Sequence, residues 1–118
     1  MPELLNYNDT PLGQCALAFA QALVGENFEA AHTFLTSTTQ TEISVGQLRE
    51  NYLGMIDYWE TKVVDDLEAL EILDDWPDKQ PEDWGWVYVA INGDGFGEAV
   101  AVVITKDKKI REIEWGRP

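Results

Sequence analysis

The chain has 118 residues but only one cysteine and one histidine, so it lacks the residues for several kinds of site. Cys15 alone cannot form a disulfide within the chain. Zinc sites require several cysteine or histidine ligands, and Cys15 and His32 do not supply them. His32 has no identifiable partner for general-base catalysis. No phosphate-binding loop, dinucleotide-binding motif or nucleophile elbow is present, so we assign no catalytic residues and expect no cofactor.

Basic residues are also scarce. The chain has 8 lysines and arginines against 22 aspartates and glutamates, giving a formal net charge of −14 and a pI near 4.1. A surface of this charge repels nucleic-acid phosphates and anionic lipids. We therefore expect neither nucleic acid nor a membrane as a partner, and a basic protein is the partner that this charge favours.

Long apolar runs are missing as well. The longest, residues 16–24, is interrupted by Gln21 and is far shorter than a bilayer span. The first nine residues, MPELLNYND, contain no basic region before an apolar stretch and do not have the pattern of a secretory signal. These features predict a single cytoplasmic domain over residues 1–118.

The first part of the chain has the signals of two helices separated by a short turn. Thr10 and Pro11 have the residue types of a helix cap and of a first helical position. Apolar residues follow at helical spacing until Gly25, which we expect to end the helix. Asn27 can then cap a second helix.

A third helix is predicted after a polar interruption. The run at residues 36–41 (TSTTQT) should break the second helix, because serine and threonine side chains compete for backbone hydrogen bonds. Ser44 and Gln47 have the spacing of a capping box. Residues 45–59 continue at helical spacing and predict a helix of that length.

The C-terminal third predicts a three-strand antiparallel meander. Residues 84–91 alternate between two apolar sets, which is typical of a strand that is buried on both faces or that has one face left for a partner. Residues 92–95 (NGDG) form a turn, and strands follow at 96–105 and 110–115.

Residues 61–74 fit two structures. Their apolar positions match one helix face, but segments such as TKVV and ALEIL match strands equally well. We interpret them as a long, bent first strand, because the meander needs a neighbour at its edge. The predicted fold class is therefore α+β, with three N-terminal helices packed on one face of a curved four-stranded antiparallel sheet.

Three stretches of the chain are similar to small bacterial members of the nuclear transport factor 2-like superfamily. They are residues 19–31 (FAQALVGENFEAA), residues 43–48 (ISVGQL) and residues 109–115 (KIREIEW). The resemblance implies a cystatin-like, cone-shaped α+β roll. This superfamily includes isomerases, dehydratases, transport proteins and bacterial immunity proteins, and many members are homodimers through the open sheet face. It implies a homodimer here, but it does not select among these functions.

Acidic residues are concentrated between residues 57 and 83, which hold eleven carboxylates and two lysines. Clustered charge can steer a basic protein into contact, although such a run can also serve only to protect an edge strand from aggregation. The candidate partner-binding residues are Asp65, Asp66, Glu68, Glu71, Asp74, Asp75, Asp78, Glu82 and Asp83.

Aromatic residues form the second candidate site. Five tryptophans are many for this length, and with two tyrosines they could line a ligand pocket, form a dimer face or belong to the core. The candidates are Tyr52, Trp59, Trp84, Trp86, Tyr88 and Trp115.

Our leading hypothesis from the sequence is a non-catalytic, acidic protein-binding domain of the immunity-protein type. The alternative is a small-molecule-binding protein or an isomerase- or dehydratase-like enzyme that uses the cleft between helices and sheet. A purely structural homodimer is a third interpretation.

Overall fold

The computed structural model describes residues 10–56, 64–93 and 96–115. Within these residues four helices precede four strands, which form one antiparallel sheet in the order β1-β2-β3-β4. The predicted α+β class is confirmed, with one helix more than expected. The elements are α1 (Pro11–Val24), α2 (Phe28–Thr33), α3 (Ser37–Glu42), α4 (Val45–Ile56), β1 (Val64–Leu73), β2 (Asp83–Gly93), β3 (Phe96–Thr105) and β4 (Ile110–Trp115).

The predicted helix caps are present. Thr10 Oγ1 accepts a hydrogen bond from the Gly13 amide at 3.0 Å at the start of α1. Ser44 and Gln47 bond reciprocally before α4, with amide-to-side-chain distances of 2.8 and 3.1 Å. These bonds satisfy amides that have no partner inside the first turn of a helix. The predicted end of the third helix, residues 57–59, lies outside the described residues.

The end of α1 differs in detail from the prediction. Gly25 has φ −77°, whereas Glu26 adopts φ 58° in the left-handed region. The Asn27 amide donates to the Ala22 carbonyl at 2.8 Å, which closes the turn after the helix. The left-handed conformation that usually favours glycine therefore falls one residue later than Gly25.

The extra helix, α3, lies where we expected the polar run to interrupt the chain. Thr36 Oγ1 caps this helix by accepting from the Thr39 amide at 3.1 Å. Thr39 is buried, and its hydroxyl donates to the Arg111 carbonyl of β4 at 2.7 Å. The second helix does end before this run, at Thr33, as predicted. The run itself is helical, which was not predicted, because one threonine acts as the cap and another bonds to a distant strand.

The first strand is present where the sequence allowed either a strand or a helix. Residues 64–73 pair with β2, and the pairing shifts between Val64 and Asp66 and again between Ala69 and Glu71. These irregularities are typical of β-bulges, which bend an edge strand. Residues 61–63 lie outside the described residues.

One face of the sheet forms the core with the helices. On β2, the side chains of Val87, Val89 and Ile91 are fully buried and belong to the same cluster as the apolar residues of α1, α2 and α4. Alternate residues of a strand point to opposite faces, so Trp86 and Tyr88 lie on the face away from the helices. The helices therefore cover one face of the sheet.

Helix α1 approaches β2 very closely at Gly85. A Cβ atom added there would lie 2.6 Å from Leu12 Cδ1, which is shorter than a van der Waals contact. Gly54, on an exposed part of α4, has no atom within 4 Å of the same position. Both glycines lie inside regular elements, but only Gly54 has room for an added methyl group.

We predict opposite effects for alanine at these two glycines. Gly85→Ala should lower the free energy of unfolding by about 1–2 kcal/mol, because Leu12 must move out of a packed contact. Gly54→Ala should raise it by about 0.5–1 kcal/mol, because alanine favours the helix. Urea denaturation of both variants measures this, and equal shifts would contradict the close approach.

Candidate functional site

Most of the predicted partner-binding carboxylates form one exposed surface. We call this surface the acidic edge; it follows β1 at the edge of the sheet and continues into the loop before β2. Its seven exposed members are Asp66, Glu68, Glu71, Asp74, Asp75, Asp78 and Glu82. The side chain of Asp65 lies outside what the structure describes.

The negative charge of the acidic edge is not compensated by ion pairs with the described residues. In the part of the chain that the structure describes, none of its seven carboxylates forms an ion pair. Lys79 is the lysine nearest to them in sequence, but its ammonium group donates to the Asp74 carbonyl. It also lies 5.7 Å from the ring centroid of Trp76, within the range of a cation–π contact.

Asp83 does not belong to the acidic edge, and its assignment as a partner-binding residue is corrected here. Its side chain has 0% exposure, and its two oxygens accept hydrogen bonds from Arg111 Nε at 2.8 Å and Nη2 at 2.7 Å. The backbone amide of Gln80 donates to the same carboxylate at 2.8 Å. Because Asp83 starts β2 and Arg111 lies in β4, this pair connects two strands across β3.

The environment of Asp83 favours its charged form. Burial by itself raises the pKa of the carboxyl, but the hydrogen bonds from Arg111 and from the Gln80 amide outweigh it and lower the pKa below the ordinary value. The same hydrogen bond from Arg111 to Asp83 raises the pKa of the guanidinium. Asp83 and Arg111 are therefore both charged at neutral pH.

The candidate aromatic residues do not come together in one pocket. Tyr52 on α4 is buried in the core beside Phe28, with the ring centroids 6.0 Å apart. Trp84 and Trp115 also pack against that core. Trp59 lies outside the described residues.

The remaining two candidates lie on the sheet face opposite the helices, which we call the outer face. Trp86 and Tyr88 are stacked, with ring centroids 6.2 Å apart and ring planes at 28°. In the register of the sheet, Val103 lies opposite Trp86 and Ala101 opposite Tyr88. These small residues are buried, so the two half-buried rings are the side chains that project from this part of the outer face.

Carboxylates border the outer face on both sides. Glu68 and Glu71 lie on β1, and Glu112 and Glu114 lie on β4, all in register with outer-face positions of the neighbouring strand. Strands in a sheet are spaced by about 4.8 Å, so the two rows are about 14 Å apart. An apolar strip with two acidic borders results.

A groove of about 930 Å³ lies at the other edge of the sheet, between α3 and the start of β4. Arg111, Glu82, Glu112 and Ile113 line it together with hydroxyl side chains of α3. This groove was not predicted from the sequence. No local pattern reveals it, because Asp83 and Arg111 are 28 residues apart and Thr39 and Arg111 are 72 residues apart.

His32 forms hydrogen bonds that connect neighbouring elements of the fold. Its Nε2 lies 2.7 Å from the Ile43 carbonyl and 3.3 Å from the Gln40 carbonyl, so this nitrogen carries a proton and donates. The Gln40 side-chain amide donates in return to the His32 carbonyl at 3.0 Å. These bonds hold α3 and the segment after it against α2.

Two further observations apply to the described ranges. No three acidic, histidine or cysteine side chains within them are close enough to hold a metal ion. Among the helices of these ranges, none has the length and apolarity that a bilayer span requires.

Comparison with protein-family models, with curated proteins and with solved structures gave no significant match for this chain. The resemblance to the nuclear transport factor 2-like superfamily therefore stays a prediction.

Loss of Arg111 should destabilise the protein in a pH-dependent way. At pH 7, Arg111→Met leaves the buried Asp83 carboxylate without its cation, and we expect a loss of about 3 kcal/mol in the free energy of unfolding. Because the pKa of Asp83 is lowered by folding, the pair stabilises the protein above the ordinary aspartate pKa of about 3.9 and less as the pH falls through the folded pKa.

Chemical denaturation of wild type and Arg111→Met across this pH range measures the effect. The difference between the two proteins should shrink in acid. Glu114→Gln, which changes an exposed carboxylate in the same strand, is the control and should show no such convergence. A difference that is the same at pH 7 and pH 3 would contradict the ion-pair assignment.

Tyr52 should ionise late. Burial, with a smaller contribution from the nearby charge of Glu26, raises its pKa to about 12. The neutral phenol therefore stabilises the folded state fully below about pH 10, and this contribution is lost as the pH rises through about 12. Ultraviolet titration should show a late phenolate step that Tyr52→Phe removes, and an unchanged curve in that variant would disprove the assignment.

Proposed function

We propose that this protein is a non-catalytic binding domain whose acidic edge docks a basic protein, in the manner of an immunity protein that blocks a basic toxin. Membership of the nuclear transport factor 2-like superfamily is part of this proposal. The order of helices before an antiparallel sheet is compatible with it. The observation that carries the proposal is the charge of the seven exposed carboxylates, none of which forms an ion pair with a described residue.

The arrangement of these carboxylates supports docking more than simple solubility. Within the described residues, the fold pairs a carboxylate with an arginine only at Asp83, which is buried, and leaves the neighbouring acidic residues unpaired. Like charges held close together oppose folding unless a partner offsets them. A basic surface would remove this repulsion on binding and would be steered to the acidic edge from a distance.

The outer face supports a second contact, with another copy of this chain. Trp86 and Tyr88 are only half-buried, and aromatic residues contribute strongly to interfaces. We propose that two copies meet through these faces, which leaves the loop carboxylates Asp74, Asp75 and Asp78 of each copy accessible. Light scattering of the purified protein at neutral pH should give the mass of a dimer, and a monomer would disprove this part of the proposal.

Affinity capture at two ionic strengths tests docking at the acidic edge. The immobilised protein should retain a basic protein from a lysate of its own source at about 0.05 M salt and release it at about 0.5 M. The triple variant Asp74→Lys, Asp75→Lys, Asp78→Lys should retain about tenfold less, because the partner then meets like charge.

A control variant separates the position of the charge from its total. Glu29→Lys, Glu42→Lys, Glu50→Lys makes the same change in net charge at exposed helix positions that are not part of the acidic edge. It should retain the captured protein as the wild type does. Capture that ignores ionic strength, or equal losses in both triple variants, would overturn the proposal.

A further inference from the structure

The groove between α3 and β4 contains an arginine whose side chain is held in place by a buried carboxylate. Arg111 uses Nε and Nη2 for the buried Asp83 carboxylate, and its side chain retains 25% exposure. Its remaining nitrogen, Nη1, makes no hydrogen bond to the residues that the structure describes. A partly exposed guanidinium with one edge bound and a further nitrogen without a partner can donate hydrogen bonds to a carboxylate that enters the groove.

The backbone of Arg111 is fixed as well. Its carbonyl accepts the Thr39 hydroxyl at 2.7 Å, and the preceding residue, Ile110, bonds through its backbone to Phe34 and Thr36. These bonds therefore join α3, on one side of the groove, to β4, on the other. Binding to a side chain that is already held in place loses little conformational entropy, which favours recognition of even a small ligand.

The charges around Arg111 select the kind of ligand. Four carboxylates line the groove: Glu42, Glu82, Asp107 and Glu112. Lys109 lines it too, but its ammonium group donates to the Thr33 carbonyl at 3.0 Å. Glu82 and Glu112 are close enough to raise the pKa of Arg111. With these carboxylates and a net charge of −14, a simple anion is repelled. A ligand that carries an ammonium group beside its carboxylate satisfies both signs of charge.

The groove also has an apolar wall. Ile43 and Ile113 are half-buried and Leu35 is fully buried along it. An aliphatic side chain can pack there while the polar groups of the ligand face Arg111 and the two glutamates. The combination matches an α-amino acid with an aliphatic side chain, or the corresponding terminus of a short peptide.

We propose that this groove binds a small aliphatic zwitterion, with the ligand carboxylate on Arg111 Nη1 and the ligand ammonium on Glu82 or Glu112. This site shares Glu82 with the acidic edge, but it is built around Arg111 and does not depend on the proposed protein partner. It assigns Arg111 a binding role in addition to its structural pairing with Asp83.

Titration with L-leucine, followed by amide chemical shifts, tests the site. We expect shifts confined to the groove and a dissociation constant of about 1 mM, a weak affinity that fits the small number of polar contacts. N-acetyl-L-leucine lacks the ammonium and L-leucinamide lacks the carboxylate, so each should bind at least about tenfold more weakly. Glycyl-leucine and leucyl-glycine distinguish a free amino acid from a peptide terminus.

Two variants on one strand complete the test without touching the core. Glu112→Gln should weaken L-leucine binding about fivefold or more, whereas Glu114→Gln, also exposed on β4 but outside the groove, should bind as the wild type does. Equal binding of L-leucine and both blocked analogues would overturn the proposal. The absence of groove shifts at high L-leucine concentration would overturn it too.

Discussion

The alternation of side chains along β2 is the constraint on which the rest of the structure depends. This strand has a neighbouring strand on both sides, and its two faces make different contacts. Val87, Val89 and Ile91 are buried under the helices, and α1 comes close enough to contact Gly85. Trp86 and Tyr88 are then directed to the outer face, because successive residues of a strand point in opposite directions.

The ion pair at the end of the sheet determines which charges remain available for binding. Asp83 is one of a run of acidic residues in sequence, yet its burial makes an unpaired charge there very unfavourable. Arg111 satisfies it from across β3, and this pairing both connects the strands and presents the guanidinium to the groove. The neighbouring carboxylates have no comparable burial and stay exposed to solvent.

Three surfaces with different chemistry result from this arrangement. The acidic edge follows β1, the outer face lies across the middle of the sheet, and the groove borders β4. A basic protein, a second copy of the chain and a small zwitterion would therefore contact different parts of the molecule. The proposed contacts can be tested separately because the docking variant changes Asp74, Asp75 and Asp78, whereas the groove variant changes Glu112.

The sequence by itself determined the features that depend on neighbours along the chain. Thr10, Ser44 and Gln47 satisfy nearby amides, and the alternation at residues 84–91 depends only on strand geometry, so helix starts, the meander and the α+β class were predictable. Only the tertiary structure decided the formation of α3, the burial of Asp83 and the division of the aromatic residues between two faces. Each of these depends on contacts between residues far apart in the chain, and their free energies outweigh local preferences.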